Sequence, residues 1–255
     1  MRPLSVALRL FACSLLLTSA ACSSSESQPA EPKTAGAVPA NLAQQLTTNL
    51  KNAGLNSNVL SVQSTEIPGI YWVTLKGLPP VFTTADGKHI IQGDVVRLEK
   101  NDIVDIATPM MQADAAKLLA SVPTSEMVIF SPQSKPKSTI YVFTDADCGY
   151  CRKLHSEMDQ ILAKGIEVRY LAWPRSPQSM PDMNAVWCSE DRNSAMTQAK
   201  NGIKVQAASC ENPIMKHREI GMQIGVNGTP AIYTPNGKYL GGYIPAPELA
   251  KQLGL

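Results

Sequence analysis

The chain has 255 residues, a net charge of +2, and hydrophobic and charged fractions of 44% and 17%. This length allows two modest domains or one large one, and the composition is ordinary for a folded protein. A net charge near zero gives no reason to expect nucleic acid or a strongly acidic molecule as a partner. Beyond the N-terminus, no stretch is apolar for long enough to span a bilayer.

Residues 1–21 have the pattern of a secretory signal peptide. Arg2 and Arg9 supply positive charge ahead of an apolar run that ends in small residues. An amphipathic or buried helix is the alternative. Export is favoured because residues 22–39 are rich in Ser, Pro and Ala and have almost nothing to bury, as expected of a flexible tether.

The predicted cleavage falls just before Cys22. Small residues ahead of a cysteine resemble the signal of bacterial lipoproteins, although Ser19 stands where that pattern usually has leucine. Removing the signal takes away Cys13 and leaves five cysteines, an awkward number in an oxidising compartment. Lipidation of Cys22 leaves four, enough for two pairs, so we favour lipidation over ordinary cleavage with a free Cys22.

Residues 40–100 are predicted to form a small N-terminal domain. Leu42, Leu46 and Leu50 repeat at helical spacing, and Gly54 provides a stop. We predict a helix over 41–55, followed by strands over 59–67, 70–75, 81–85, 89–91 and 95–98, with turns at 68–69 and 86–88. A domain with so limited a core often gains stability by pairing with a copy of itself.

Residues 101–122 lie between two differently patterned regions and are predicted to be a linker helix. The helical pattern runs over 102–119. Pro109 is expected to interrupt or kink this helix, because proline lacks the amide donor.

Residues 123–255 alternate strand and helix patterns, which predicts a mixed α/β layer fold. The strands at 127–130 and 139–144 are apolar enough to be buried on both faces. Further elements are predicted as a helix over 149–163, a strand over 166–172, helices around 184–200 and 213–224, a hairpin over 231–243 and a helix over 248–253.

A pair of cysteines marks the junction between the strand at 139–144 and the next helix. Cys148 lies where the strand ends, and Cys151 lies one turn into the helix. Unpaired amides and the positive end of the helix dipole stabilise an anion at Cys148, which lowers its pKa and creates an attacking thiolate. Cys151 can then close a disulfide or resolve a mixed one. This interpretation expects an exposed Cys148 sulfur near Pro230.

Three other uses of this motif fit less well. A structural zinc site commonly needs two CxxC pairs, and the other cysteines here stand alone. Covalent haem attachment needs histidine after the second cysteine, where this chain has Arg152. A purely structural disulfide in so short a loop would be strained. We therefore expect redox activity without a metal or other cofactor.

Two further features lie in the same region. Pro230 could simply mark the edge of a strand, but beside a CxxC motif a cis bond after Thr229 is favoured. Cys188 and Cys210 are predicted to form a structural disulfide bracing a helical insertion, with free buried thiols as the alternative.

Two residue types receive a structural interpretation. His155 lies on the same helical face as Cys151 but is predicted to be a surface or packed histidine. Five methionines are predicted to fill the core rather than bind a metal: Met180, Met183, Met196, Met215 and Met222.

With these motifs, the chain resembles the bacterial periplasmic disulfide isomerases of the DsbC/DsbG family, and its DsbC branch more closely. The resemblance rests on Phe-Thr-Asp at 143–145 leading into Cys-Gly-Tyr-Cys at 148–151, and on Lys-Leu-His at 153–155. It also rests on Gly-Val-Asn-Gly-Thr-Pro-Ala at 225–231, and on Asn236-Gly237 with Gly242-Tyr243 beyond. It extends from about residue 40 to the C-terminus and is strongest after residue 139.

The resemblance implies an α+β fold: a cystatin-like dimerisation domain, a linker helix and a thioredoxin-like domain with a helical insertion. It implies a V-shaped homodimer whose active sites face a cleft. Cys148 and Cys151 would be catalytic, with a cis Pro230 beside them, and Gly149, Tyr150 and Thr229 would join Pro230 in contacting substrate. The spacing of Cys188 and Cys210 also resembles the structural disulfide of this family.

The implied activity is rearrangement of wrong disulfides in misfolded exported proteins of the periplasm. A membrane reductant of the DsbD type would keep the cysteine pair reduced. The alternatives are a DsbG-like reductant of oxidised cysteines, a holding chaperone with an inert disulfide, and a monomeric oxidant, which the extra N-terminal domain disfavours. A lipid tether at Cys22 departs from the usual soluble form of the family.

Overall fold

The structure is a computed structural model that describes residues 36–255. The predicted signal peptide, Cys22 and all but the last residues of the predicted tether lie outside the described residues. Within 36–255, no helix is both long and apolar enough to cross a membrane.

The N-terminal part packs one helix against an antiparallel sheet. Helix α1 (Leu42–Asn52) buries the predicted leucine stripe, and Leu46 and Leu50 meet Val73 and Val81 of the sheet. The strands follow in chain order as β1 (Val59–Ser64), β2 (Ile70–Leu75), β3 (Leu78–Thr84) and the short edge strand β4 (Ile90–Ile91). The predicted helix and these four strands are therefore present, although the helix ends before Gly54, β1 ends at Ser64 rather than at 67, and β3 begins at Leu78 rather than at 81.

A separate hairpin corrects the predicted start of the linker helix. Strand β5 (Val96–Glu99) pairs with β6 (Asp102–Asp105), so residues 102–105 are extended rather than helical. Helix α2 (Ala107–Ala120) begins after them. Pro109 lies in its first turn, where a backbone N–H has no partner within the helix, so proline is tolerated there.

The C-terminal part contains a five-stranded sheet in the order β11-β10-β8-β9-β7. Strands β8 and β9 are parallel and the other pairs are antiparallel. The strands are β7 (Val128–Phe130), β8 (Ser138–Thr144), β9 (Ile166–Ala172), β10 (Ala231–Tyr233) and β11 (Tyr239–Gly241). Alternate residues of β8 enter two different cores, since Ile140 packs with Trp187 and Phe143 with Trp173.

Six helices cover this sheet. They are α3 (Gly149–Ser156), α4 (Met158–Ala163), α5 (Met180–Cys188), α6 (Arg192–Lys200), α7 (Ile214–Gln223) and α8 (Ala246–Gln252). The helix predicted over 149–163 is broken at Glu157, whose carboxylate accepts hydrogen bonds from the Ala246 N–H at 2.8 Å and the Tyr243 hydroxyl. The mixed helix-and-strand fold, predicted as α+β, is confirmed.

Candidate active site

The cysteine pair lies at the end of β8, as predicted. After a short turn, Cys148 takes an extended conformation as the N-terminal cap of α3, and its N–H donates to the Asp145 carbonyl at 3.2 Å. Cys151 follows in the first turn of α3 and is completely buried. Both cysteines are free thiols. Both lie at the N-terminal end of α3, where the backbone amides of the helix are unpaired.

The surroundings of Cys148 favour its thiolate. A hydrogen bond from Cys151 lowers the pKa of Cys148 most, and burial acts in the opposite direction. The Thr229 side chain and the charge of Arg175 lower the pKa further, so that it falls to about 5. The Thr229 hydroxyl is buried with no other partner, so it is free to donate to the thiolate. In the thiol form, Cys148 Sγ donates to the Thr229 carbonyl at 3.1 Å.

The prediction of an exposed Cys148 sulfur is wrong, because the residue is only 3% exposed. The loop that carries Thr229 covers the Cys148 sulfur. The spacing of residues in the sequence does not indicate that this loop lies over the sulfur. Its surroundings are polar rather than an apolar interior, since a carbonyl and a hydroxyl face it. Gly149 and Tyr150, which follow directly, are exposed and keep the site at the surface.

Cys151 has the opposite character. Burial raises the pKa of its thiol, and the hydrogen bond it gives to Cys148 raises it further. The charge of Lys200 and a hydrogen bond with Thr144 oppose this shift without cancelling it. The pair therefore holds one ready thiolate and one protonated thiol, which suits a division into attacking and resolving groups.

The second predicted motif meets the first in space. The Thr229–Pro230 peptide bond is cis, as expected. Pro230 leads into β10, which pairs antiparallel with β8 and sets Ala231 opposite Phe143. This pairing brings the proline loop to the end of the sheet at which β8 finishes and Cys148 lies.

Sequence reasoning missed two charged residues near the pair. Arg175 donates through its Nε and its backbone N–H, each at 3.0 Å, to the buried carboxylate of Asp145. Its positive charge helps to lower the pKa of Cys148. Lys200 is buried, and its charge acts to lower the pKa of Cys151. No local motif marks either residue, because both reach the site through contacts between distant segments.

The remaining predicted residues have structural positions. Cys188 and Cys210 form the expected disulfide, with an S–S distance of 2.02 Å, between the end of α5 and the segment before α7. His155 is buried and shares hydrogen bonds with the hydroxyls of Tyr170 at 3.2 Å and Thr197 at 3.1 Å. This confirms the packed histidine.

The methionine prediction holds only in part. Met183 and Met196 are fully buried, and Met183 Sδ accepts a hydrogen bond from the Ala146 N–H at 3.2 Å. Met180 and Met222 are partly buried against the two cores. For Met215 the prediction is wrong, because its side chain is 63% exposed on α7.

A CxxC pair at a strand-to-helix junction, facing a cis-proline loop, defines a dithiol protein of the thioredoxin-like class. Residues 124–255 match the family model of a thioredoxin-like domain, and residues 26–105 match that of the disulfide bond isomerase protein N-terminal domain. The chain belongs to the DsbC family of thiol:disulfide interchange proteins. It is accordingly an enzyme of thiol–disulfide interchange with a disulfide isomerase function.

Three relatives illustrate the extent of this similarity. The thiol:disulfide interchange protein DsbC of Salmonella typhimurium is 39% identical, over 72% of this chain and 78% of its own. DsbC of Escherichia coli is 37% identical, over 80% and 84% of the two chains. DsbC of Pasteurella multocida is 33% identical, over 82% and 90%.

Proposed function

We propose that Cys148 and Cys151 are the attacking and resolving thiols of an isomerase that rearranges incorrect disulfides in misfolded exported proteins. The observation that carries the proposal is the position of Cys148 as the N-terminal cap of α3, against the cis Thr229–Pro230 loop and one turn before Cys151, where its pKa is lowered. A thiolate at neutral pH attacks a disulfide, and a neighbouring thiol completes the exchange.

The reaction begins when the Cys148 thiolate attacks one sulfur of a wrong substrate disulfide. A mixed disulfide forms, and a substrate thiolate leaves. Another substrate thiolate then attacks the mixed disulfide, which gives a rearranged substrate bond and returns Cys148 as the thiolate. If rearrangement stalls, Cys151 attacks Cys148 instead and releases reduced substrate, leaving the Cys148–Cys151 disulfide.

We assign Gly149, Tyr150, Thr229 and Pro230 to the surface that contacts the substrate chain. Tyr150 is 63% exposed, and its ring stacks on that of Tyr243 with the centroids 6.0 Å apart. Stacked rings offer a flat apolar surface next to the attacking sulfur, which suits the apolar side chains of an unfolded protein.

We also propose a homodimer formed through residues 40–100, with 101–122 as the linker and 123–255 as the catalytic domain. Leu98 and Ile103 are paired across the β5–β6 hairpin and are 77% and 67% exposed. The short strand β4 is an exposed, apolar edge. Apolar pairs and open strand edges of this kind are typical of association surfaces. Sedimentation of the protein beside a Leu98→Asp/Ile103→Asp variant tests this, with a monomeric variant expected.

We place the enzyme in the periplasm, exported by a signal peptide at 1–21 and tethered through a lipid on Cys22. The Cys188–Cys210 disulfide suits an oxidising compartment, in which a DsbD-type membrane reductant would keep the active pair reduced. Metabolic labelling with palmitate tests the tether: label should appear on the protein and disappear in Cys22→Ser. An unlabelled wild-type protein contradicts it.

The central test is the rearrangement of scrambled ribonuclease by the full chain. Cys148→Ala should abolish activity, since the remaining thiol of the pair, Cys151, is buried and its pKa is raised. Cys151→Ala should leave part of it, because substrate thiols can still complete the exchange. Ser156→Ala, a change on the exposed side of the same helix, serves as the matched control and should retain full activity. Full activity in Cys148→Ala refutes the assignment.

Two further assays separate the alternatives. A DsbG-like reductant would act faster on a protein sulfenic acid than on scrambled ribonuclease. A holding chaperone with an inert disulfide would suppress aggregation equally well in wild type and Cys148→Ala, with no thiol exchange by either.

A further inference from the structure

Lys200 is a buried lysine whose amine lies against the end of β8, close to the cysteine pair. It is the last residue of α6 and only 3% exposed. Its Nζ donates to Thr144 Oγ1 at 2.7 Å and to the Asp145 carbonyl at 2.8 Å. In the part of the chain that the structure describes, Nζ forms no ion pair with a carboxylate. An ammonium ion buried without a counter-ion is costly, so this position favours the neutral amine, which can accept a proton.

The Thr144 hydroxyl connects this amine to a reacting sulfur. Thr144 is completely buried at the end of β8, and its side chain also lies close enough to the Cys151 thiol to lower the pKa of that thiol. One hydroxyl thus bonds to Lys200 Nζ and influences Cys151 Sγ. A hydroxyl both accepts and donates hydrogen bonds, so it can pass a proton between the two groups.

We propose that Lys200 is a positioning residue that withdraws the proton of Cys151 through the Thr144 hydroxyl in the resolving step. This inference rests on the proposed function, because it assumes that Cys151 attacks a mixed disulfide at Cys148. It adds the base that a buried, protonated thiol needs before it can act as a nucleophile.

The step balances without an outside oxidant or reductant. Cys151 gives its proton to Thr144, whose own hydroxyl proton passes to the neutral amine of Lys200. The Cys151 thiolate attacks the Cys148 sulfur, the Cys148–Cys151 bond forms, and the bond from Cys148 to the substrate breaks. Two electrons pass to the substrate, whose thiolate leaves and takes a proton from water. The ammonium ion of Lys200 returns its extra proton to solvent afterwards.

The electrostatics of the site increase the neutral fraction of the Lys200 side chain at the stage when it must accept a proton. Burial lowers the pKa of Lys200 to about 8, while the charges of Cys151, Asp145 and Cys148 oppose that shift. In the mixed disulfide, Cys148 has no charge and no longer raises the pKa of Lys200. A larger fraction of the Lys200 side chains is then neutral. The groups that influence or face Lys200 from α3, the β8 end and β9 are Cys151, Arg152, His155, Thr144, Asp145, Cys148 and Tyr170.

Stopped-flow reaction of the reduced full-length protein with dithiobis(nitrobenzoate) tests the proposal. The first coloured thiolate released reports attack by Cys148, and the second reports attack by Cys151. In Lys200→Met, the second release should slow about tenfold at neutral pH, and its pH midpoint should rise by about one unit. The first release should stay within about a factor of three, because the nearby charge that helps to lower the pKa of Cys148 is that of Arg175.

Three controls make the result decisive. Lys164→Met removes an exposed lysine and should change neither release. Thr144→Val interrupts the relay while leaving the charge in place, and should slow the second release as well. Thermal unfolding and circular dichroism check that each variant is folded; if Lys200→Met does not fold, Thr144→Val carries the test.

Each outcome has a separate meaning. An unchanged second release in folded variants overturns the role of Lys200. Equal slowing of both releases also overturns it, because that result indicates a merely structural role. If the wild-type protein releases neither thiolate, the proposed function itself fails.

Discussion

Cys148 Sγ lies 3.1 Å from the carbonyl oxygen of Thr229, although the two residues are 81 positions apart in the chain. Antiparallel pairing of β10 with β8 produces this contact, since Ala231 stands opposite Phe143. The proline loop and the strand-to-helix junction are therefore parts of one site. Groups on the loop act directly on the reactivity of the sulfur.

The first prediction concerns the acidity of Cys148. Its alkylation by iodoacetamide should follow a titration with a midpoint near pH 5. Cys151→Ala should move this midpoint upward, because it removes the hydrogen bond that lowers the pKa most. Thr229→Val should move it by less, since only the weaker hydroxyl contribution is lost. A wild-type midpoint near pH 9, the ordinary value for a thiol, contradicts the prediction.

The same shift predicts how stability depends on pH. The folded pKa of Cys148 is about 5 and its ordinary value is 9.0, so the folded state binds fewer protons between these values. The stability that the thiolate supplies is complete above pH 9 and is lost as the pH falls toward 5. Urea unfolding of the reduced protein and of Cys148→Ala should show a difference that grows with pH in this window. A constant difference excludes the linkage.

The disulfide between Cys188 and Cys210 should stabilise the fold without taking part in exchange. It closes a loop of 22 residues, for which chain entropy gives about 3 kcal/mol. Replacing both cysteines by alanine should lower the free energy of unfolding by about that amount. Ribonuclease rearrangement should persist at temperatures where the variant is folded. Loss of activity in the folded variant indicates that the disulfide has a direct role.

The active pair could be predicted from sequence because its signals are local. Strand β8 contains an apolar run over 140–143, and the cysteine spacing matches one helical turn. Arg175 and Lys200 could not be found this way, because they meet Asp145 and Thr144 across 30 and 56 positions. Such contacts depend on how distant elements pack together. The burial of Cys148 was missed for the same reason.

The wrong start of the linker helix has a different cause. Asp102–Asp105 reads Asp-Ile-Val-Asp, with two apolar residues side by side, and four positions are too few to distinguish a strand from a helix. The turn before it is made at Asn101, the described non-glycine residue with a positive φ, 63°. Asparagine tolerates this conformation better than most residues do, which lets the tight hairpin form.

A glycine should control the packing of α2 on the C-terminal sheet. Gly237, in the turn between β10 and β11, has φ +81°, and a Cβ there would lie 1.9 Å from the Gln112 carbonyl and 2.5 Å from the Ala116 nitrogen. Gly237→Ala should therefore combine backbone strain of about 1 kcal/mol with overpacking of about 1–3 kcal/mol. Urea unfolding measures the sum.

Gly54→Ala is the matched control for this change. Its φ is +82°, but a Cβ there meets nothing within 4 Å, so only the strain remains. We expect a loss of about 1 kcal/mol, clearly less than for Gly237→Ala. Equal losses for the two variants exclude close packing of α2 against the turn.

Buried His155 should make the protein sensitive to acid. Burial is the main cause that lowers its pKa to about 4 from an ordinary 6.5, so the folded state holds the neutral ring. The stability gained from the neutral ring is complete above pH 6.5 and declines as the pH falls toward 4, because the unfolded chain takes up a proton first.

His155→Phe keeps an aromatic ring against Phe130 but cannot titrate. The free energy of unfolding of this variant should fall less steeply than that of the wild type between pH 6.5 and 4. Its stability at neutral pH can be lower, because the hydrogen bonds to Tyr170 and Thr197 are lost, but the comparison rests on the slope. Identical slopes for the two proteins mean that His155 does not contribute to acid unfolding.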